Sequence, residues 1–233
     1  MKGEQQRQVY LAKRAKVSEQ LGKREVFSVA DAWPLYAGTQ NIRRYFYINN
    51  LLLRVKDVPG HIAEFGCWRG ATTSLMAKVL EIIAPMQQKV VHGFDSFEGF
   101  DKAIQKAKGL RSGYKGNQVE LELLLELHGL SDAVELHVGD ICETVPMLMI
   151  DRPELRLSFS YIDCDVYEPC VEALRFTHER LSSGGLIVFD EWNDPAWPGE
   201  TQAAEEFLSM YGDMYRREEA TPIPQPSLVL VRL

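Results

Sequence analysis

No apolar run in this chain approaches the roughly 18 residues of a membrane span, and the first 25 residues lack the apolar stretch of a signal peptide. Cysteine is scarce. Cys67, Cys142, Cys164 and Cys170 form no CxxC pair and have no His-rich neighbourhood, which argues against a zinc site and a secreted disulfide framework. These absences predict a cytoplasmic protein with no membrane partner. Positive charge is also short, 26 Lys and Arg against 33 Asp and Glu, so binding through phosphate neutralisation, and with it nucleic acid, is not expected. No internal repeat is visible. At 233 residues the chain is long enough to bury roughly 70–75 % of its unfolded surface without a staple, as a single globular domain. Met1 to Glu25 carries seven Lys/Arg against three Glu, and reads as a solvated helix or partly ordered tail rather than a basic arm.

What is present is an alternation of periods. "HIAEFG" from His61 reads as a buried strand, and Leu75, Met76, Val79, Leu80 and Ile83 then mark one helix face that ends at Pro85. "KVVHGFD" reads as strand, "NQVELELLLELHGL" as helix, and "AVELHVGD" and "LSFSYIDCD" as two further strands. "EPCVEALRFTHERL" follows as a helix with Pro169 in its first turn, then "GGLIVFDE" as strand. "AAEEFLSMYG" reads as helix, and "DMYRREE" and "PSLVLVRL" as last strands separated by Pro222, Pro224 and Pro226. Residues 101–118, rich in Lys and Gly, read as a mobile loop. The fold class is therefore α/β, a mostly parallel sheet with helices on both faces. Residues 1–60 form an N-terminal helical extension or lid, and residues 61–233 the main domain.

Ligands of an open parallel sheet sit beyond the carboxyl ends of its strands. Those ends are acidic here: Glu64, Asp95, Asp140, Asp163 with Asp165, and Asp190 with Glu191. A single such acid is commonplace as a cap or turn residue; five ends in succession are not. Between the first strand and helix, Gly66 and Gly70 bracket a turn in which side chains would block a ligand, and the helix start offers free N–H groups. The spacing is E-x-G-x-x-x-G, not the G-x-G-x-x-G of pyrophosphate-binding turns, which favours a ligand carrying one carboxylate and one ammonium. S-adenosylmethionine is such a ligand. Asp95 would accept from its ribose hydroxyls, and Asp140 with Ile141 would lie along its adenine edge. In the exposed turn, Trp68 is placed to shield the methionine moiety and Arg69 to pair with a carboxylate.

These segments resemble the class I S-adenosylmethionine-dependent methyltransferases, and within them the macrocin O-methyltransferase-like group that methylates sugars of antibiotics. The likeness covers about residues 40–215 and rests on "AEFGCWRGAT", "GFDSFEGF", "YIDCDVYEPCVEAL", "LSSGGLIVFDEW" and "WPGETQAAEEF". It implies a Rossmann-like seven-stranded sheet in the order 3-2-1-4-5-7-6 with the last strand antiparallel, and a divalent metal, usually magnesium, beside the donor. It also implies cofactor contacts from Glu64, Gly66, Trp68, Arg69, Gly70, Thr72, Asp95, Ser96, Phe97, Asp140, Ile141 and Asp163. Members of the group often carry D-G-D and D-D where this chain has Asp163-Cys164-Asp165 and Asp190-Glu191, so the second pair is longer by one methylene.

Chemistry gives its own reason for the acids. A hydroxyl acceptor must lose a proton, whereas the sulfonium methyl is already activated and needs only in-line approach. A hard cation on Asp163, Asp190 and Glu191 would bind a vicinal diol and lower the pKa of the attacked hydroxyl, and oxygen-only ligands select magnesium, calcium or manganese over zinc. Asp190 and Asp194 are the candidate bases. His61, His92 and His137 read as packed or surface residues, His128 as a charge at a helix end, and His178 as core. The aromatic cluster "RRYFYINN" from Arg43 and the loop "WNDPAWPGE" from Trp192 flank the expected mouth and suit the flat faces of a small-molecule acceptor. A homo-oligomer is allowed. The competing readings are a metal-free methyltransferase acting on a phenol or nitrogen, a nicotinamide oxidoreductase, and a non-catalytic nucleoside-binding scaffold; the missing G-x-G-x-x-G disfavours the oxidoreductase and the paired acids disfavour the scaffold.

Overall fold

The computed structural model describes residues 2–22, 26–100, 102–108, 114–219 and 225–233. Four helices lead, α1 (Lys2–Gln20), α2 (Val26–Asp31), α3 (Trp33–Tyr36) and α4 (Thr39–Val55). The alternating part follows as β1 (His61–Phe65), α5 (Ala71–Ile83), β2 (Val91–Asp95), α6 (Lys102–Lys108), α7 (Gln118–His128), β3 (Val134–Val138), α8 (Ile141–Asp151), β4 (Leu157–Ile162) and α9 (Tyr167–Arg180). It ends in β5 (Leu181–Phe189), α10 (Pro198–Tyr211), β6 (Tyr215–Glu219) and β7 (Leu228–Arg232). The seven strands form one sheet in the order 3-2-1-4-5-7-6; β7 runs antiparallel to both β5 and β6, and the other pairs are parallel.

Strands covered on both faces need apolar side chains on both, and β4, "LSFSYI", is buried at every residue. One face packs Phe65, Phe94, Ile162 and Phe189 against α8, α9 and α10, with Phe65 and Phe94 stacked 4.8 Å apart and Phe176 edge-on to both. The other packs Ile62, Val91, Phe159 and Val188 against α4, α5 and α7. In α4 the buried residues Ile48, Leu51, Leu52 and Val55 repeat at helical spacing. That face fixes α4 on the sheet and carries its first turns, with Arg44, out over the strand ends. The described part of the basic N-terminal stretch is helical and lies on α7 through Val17 and Leu127; residues 23–25 fall outside the described residues.

Two elements depart from the sequence reading. Between β3 and β4, where no helix was expected, α8 carries Pro146 in its interior, a residue that costs a helix one hydrogen bond and masks its pattern. Its start was legible after all: Asp140 is the N-cap, its Oδ1 accepting from the Cys142 N–H at 2.8 Å, with Glu143 three residues on. The expected loop 101–118 contains α6 at 102–108; residues 101 and 109–113 lie outside the described residues, as do Pro222 and Pro224.

Gly66 ends β1 with φ +94°, and a Cβ there would stand 1.9 Å from the Asp163 carbonyl oxygen. Gly70, φ +75°, would drive a Cβ into the Leu121 side chain at 2.4 Å. The two glycines are thus required by the chain's own close packing, a reason that stands beside the room for a ligand expected from the sequence. Gly66→Ala should destabilise the fold by about 1–3 kcal/mol, read as a lower urea midpoint; an unchanged midpoint would mean that β1 and β4 can part there at no cost.

Candidate active site

The carboxyl ends of β1, β2, β4 and β5 open into a cavity of about 690 Å³. Of the residues expected to hold the donor, Glu64, Gly66, Trp68, Thr72, Asp95, Ser96, Asp140, Ile141 and Asp163 line it. Arg69, Gly70 and Phe97 do not. Arg69 is exposed, with its guanidinium 4.8 Å from the Trp68 ring centroid, and Phe97 is buried in the core beside α7.

Asp95 does more than face the cavity. Its Oδ2 accepts from the Trp68 N–H at 2.7 Å and its Oδ1 from the Phe97 N–H at 2.6 Å. Both donors have left-handed backbones, φ +48° and +57°, a conformation that costs a non-glycine residue energy and that these charge-assisted bonds offset. One carboxylate therefore pins the turn after β1 and the loop after β2, and each oxygen keeps a lone pair for a ribose hydroxyl. Asp95→Ala would loosen both loops as well as any ligand. Asp140 likewise has two duties, capping α8 and lining the cavity.

The acid-rich half is organised by a residue from outside the alternating core. Arg44 of α4 donates to Asp163 Oδ2 at 3.2 Å and to Asp190 Oδ2 at 3.1 Å. It is the only basic side chain among the described lining residues. Burial opposes its charge, but Tyr161, Asp190 and Asp163 around it raise its pKa. The Tyr161 hydroxyl donates to Asp190 Oδ1, so Asp190 meets a donor at each oxygen. Glu191 Oε1 accepts from the Gln225 amide at 2.8 Å, and the Glu191 N–H donates to Glu200 Oε1 at 2.8 Å. The far oxygens, Glu191 Oε2 and Glu200 Oε2, are buried without a hydrogen-bond partner. Burial and then repulsion from Asp190, Asp165 and Glu200 push the Glu191 carboxyl up to about 11. Burial together with Asp190 and Glu191 raises Asp163. Glu64, fully buried and accepting from the Thr73 hydroxyl, is raised to about 8 by desolvation.

The sequence grouped Asp163, Asp190 and Glu191 as metal ligands. The structure instead brings together one oxygen each from Asp163, Asp165 and Glu191, all within 4.8 Å of one another, while Asp190 turns to Arg44 and Tyr161. Asp194, a candidate base, is a turn cap: its Oδ1 accepts from the Ala196 N–H at 2.7 Å, and it is not part of the cavity wall. Arg44, Tyr161, Glu200 and Gln225 went unnoticed. Arg44, Tyr161 and Glu200 lie inside the quoted "RRYFYINN", "YIDCDVYEPCVEAL" and "WPGETQAAEEF" segments, but the pairing of Arg44 with acids 119 and 146 residues away is one that no local pattern reveals. Of the aromatic segments, Tyr45 and Trp197 reach the cavity; Tyr47 packs on the core, and Trp192 does so under Arg217.

The sequence profile of the macrocin-O-methyltransferase (TylF) family matches residues 3–212. Over 196 residues the chain is 30 % identical to the 8-demethyl-8-(2,3-dimethoxy-alpha-L-rhamnosyl)-tetracenomycin-C 4'-O-methyltransferase of Streptomyces olivaceus, covering 77 % of this chain and 71 % of that enzyme. It is 27 % identical over 167 residues to mycinamicin III 3''-O-methyltransferase of Micromonospora griseorubida, 66 % of this chain and 63 % of that one. Among solved structures, the apo form of CalS11, a TDP-rhamnose 3'-O-methyltransferase of calicheamicin biosynthesis, superposes with a TM-score of 0.73 at 26 % identity, over 94 % of this chain and 93 % of that one.

The buried Glu64 sets a pH dependence. It titrates at 4.5 in its ordinary state and near 8 in the folded protein, so between those values only the unfolded chain gives up the proton. Its contribution to stability is therefore full below about pH 4.5, falls as pH rises to about 8, and is level above. Urea melts of the ligand-free protein should show wild type losing up to about 1.4 kcal/mol per pH unit more than Glu64→Gln across that window. Parallel slopes for the two proteins would contradict a protonated Glu64.

Proposed function

This chain belongs to the macrocin-O-methyltransferase family of S-adenosylmethionine-dependent methyltransferases, and on that premise we propose that it methylates a hydroxyl of a sugar or other small natural-product acceptor. The observation that carries the reading is the meeting, in one cavity, of the loop-pinning Asp95 with the acidic cluster at the ends of β4 and β5. The Streptomyces olivaceus relative is named for a rhamnosyl-tetracenomycin and CalS11 for TDP-rhamnose, which supports a glycoside acceptor.

Asp95 would accept from the donor's ribose hydroxyls, and Asp140 with Ile141 would border its adenine. Glu64, at the floor, would face the donor's ammonium. The donor supplies a methyl already activated on sulfur; what the chain must add is position and an outlet for one proton. Trp197 and Tyr45 offer flat faces to the acceptor from opposite ends of the sequence. The four free thiols suit a reducing, cytoplasmic setting.

The acids also fit a divalent cation. An orphaned, buried Glu191 oxygen beside two aspartates, with one guanidinium for the whole cluster, is a donor set of hard oxygens short of positive charge. Asp163 and Glu191 would hold the ion, together with Asp165 as the side chains stand or with Asp190 where Arg44 withdraws. Magnesium bound there would lower the pKa of the acceptor hydroxyl. Whichever of Asp165 and Asp190 is left off the ion is the base. The two ion pairs of Arg44 favour a second reading, in which the guanidinium alone meets the charge and no metal is needed.

Turnover with a rhamnoside acceptor separates these. EDTA should abolish methyl transfer and magnesium restore it. Of Asp165→Asn and Asp190→Asn, one should raise the magnesium needed for half-activity. The other should lower kcat by about 10²–10⁴-fold at an unchanged magnesium requirement. Full turnover in EDTA would replace the cation by Arg44, and no transfer to any hydroxyl acceptor by a folded, donor-binding protein would overturn the acceptor assignment.

A further inference from the structure

A second convergence of ligating side chains lies outside the cavity, on the other acid-and-histidine-bearing part of the sheet. His92 of β2 and Glu135 of β3 are register partners, and His137 stands two residues further along β3. All three therefore project from the same face. It is the face packed by α8, since Phe94, two residues from His92, belongs to that core and stacks on His137 at 4.4 Å. His92 is fully buried, while the side chain of Glu135 is 43 % exposed, so the group is anchored in the core and open at one end.

The separations are informative. His92 Nδ1 is 3.0 Å from His137 Nε2 and 3.6 Å from Glu135 Oε2, and His137 Nε2 is 3.8 Å from Glu135 Oε1. A tetrahedral ion with bonds of about 2.0–2.1 Å spaces its ligand atoms by roughly 3.3–3.4 Å. Two imidazoles and a carboxylate are also the donor types that suit zinc and its neighbours rather than magnesium. We propose that His92, His137 and Glu135 form a binding site for a divalent transition-metal ion of the zinc class, with water completing the shell.

The consequence is mechanical. β3 is an edge strand, paired only with β2, and it delivers Asp140 to the cavity. An ion taking one ligand from β2 and two from β3 would clamp that edge. Arg152, 3.6 Å from Glu135, competes for the same carboxylate, and His61 packs edge-on against His92 with its Nδ1 already accepting from the Val90 N–H. The ion must therefore share Glu135 with Arg152, and His61 is spoken for.

The test uses the full chain stripped with EDTA and then titrated with zinc by calorimetry, with magnesium present in excess to occupy the carboxylate cluster. A single zinc should bind and raise the melting temperature. His137→Gln, which keeps a hydrogen-bonding partner for His92, and Glu135→Gln at the open end should each weaken binding at least about tenfold, while Asp163→Asn should not. Cobalt in place of zinc should show a visible absorption band that His137→Gln removes. No zinc uptake by wild type, wild-type affinity in the two cluster variants, or loss of binding in Asp163→Asn would each overturn the proposal and leave His92 and His137 as a packed, hydrogen-bonded pair.

Discussion

Negative charge gathered with too little positive charge to match it is the constraint around which this molecule is arranged. Glu64, Asp163, Asp190, Glu191 and Glu200 crowd the ends of β1, β4 and β5 and the start of α10, and among the described lining residues Arg44 is the one cation set against them. Removing carboxylates from water costs several kcal/mol each unless they are paired or protonated. The protein uses both answers. Asp190 is paired to Arg44 and Tyr161, while burial holds Glu64 and Glu191 toward their neutral forms. A site left in that state is short of positive charge, and that shortage is what supports the cation proposed for it.

The rest of the fold serves to hold that edge still. Gly66 lets the backbones of β1 and β4 meet, Asp95 ties two left-handed residues of adjacent loops to one carboxylate, and the Asp140 cap sets the start of α8. Each acts on the backbone, so the cavity's walls are held independently of the pairings among the side chains inside it. The N-terminal helices are joined to this arrangement through α4, whose buried face secures Arg44. An extension that reads as an accessory thus supplies the cluster's only counter-charge among the described lining residues.

Strand-end acids and the alternation of periods were legible because both are local: a strand, its terminal carboxylate and the next helix occupy a few consecutive residues. The sheet order came from the resemblance of whole motifs rather than from periodicity. Pro146 hid α8, since a proline inside a helix imitates a break. The division of labour among Asp163, Asp165, Asp190 and Glu191 was out of reach, because it depends on Arg44 and Tyr161, and a pairing across 146 residues leaves no spacing to read. Asp194 looked as available as Asp190 in sequence; only the loop's own N–H groups make it a cap.

If the charge imbalance is the organising feature, a hard divalent cation should bind the protein with no donor or acceptor present. Manganese, a spin-active substitute for magnesium, allows this to be counted directly by electron paramagnetic resonance on the full chain. The account predicts one strongly bound manganese in wild type, lost in Asp163→Asn and displaced by magnesium. No bound manganese in wild type, or binding that survives Asp163→Asn unchanged, would contradict it and leave Arg44 and protonation as the whole of the cluster's charge balance.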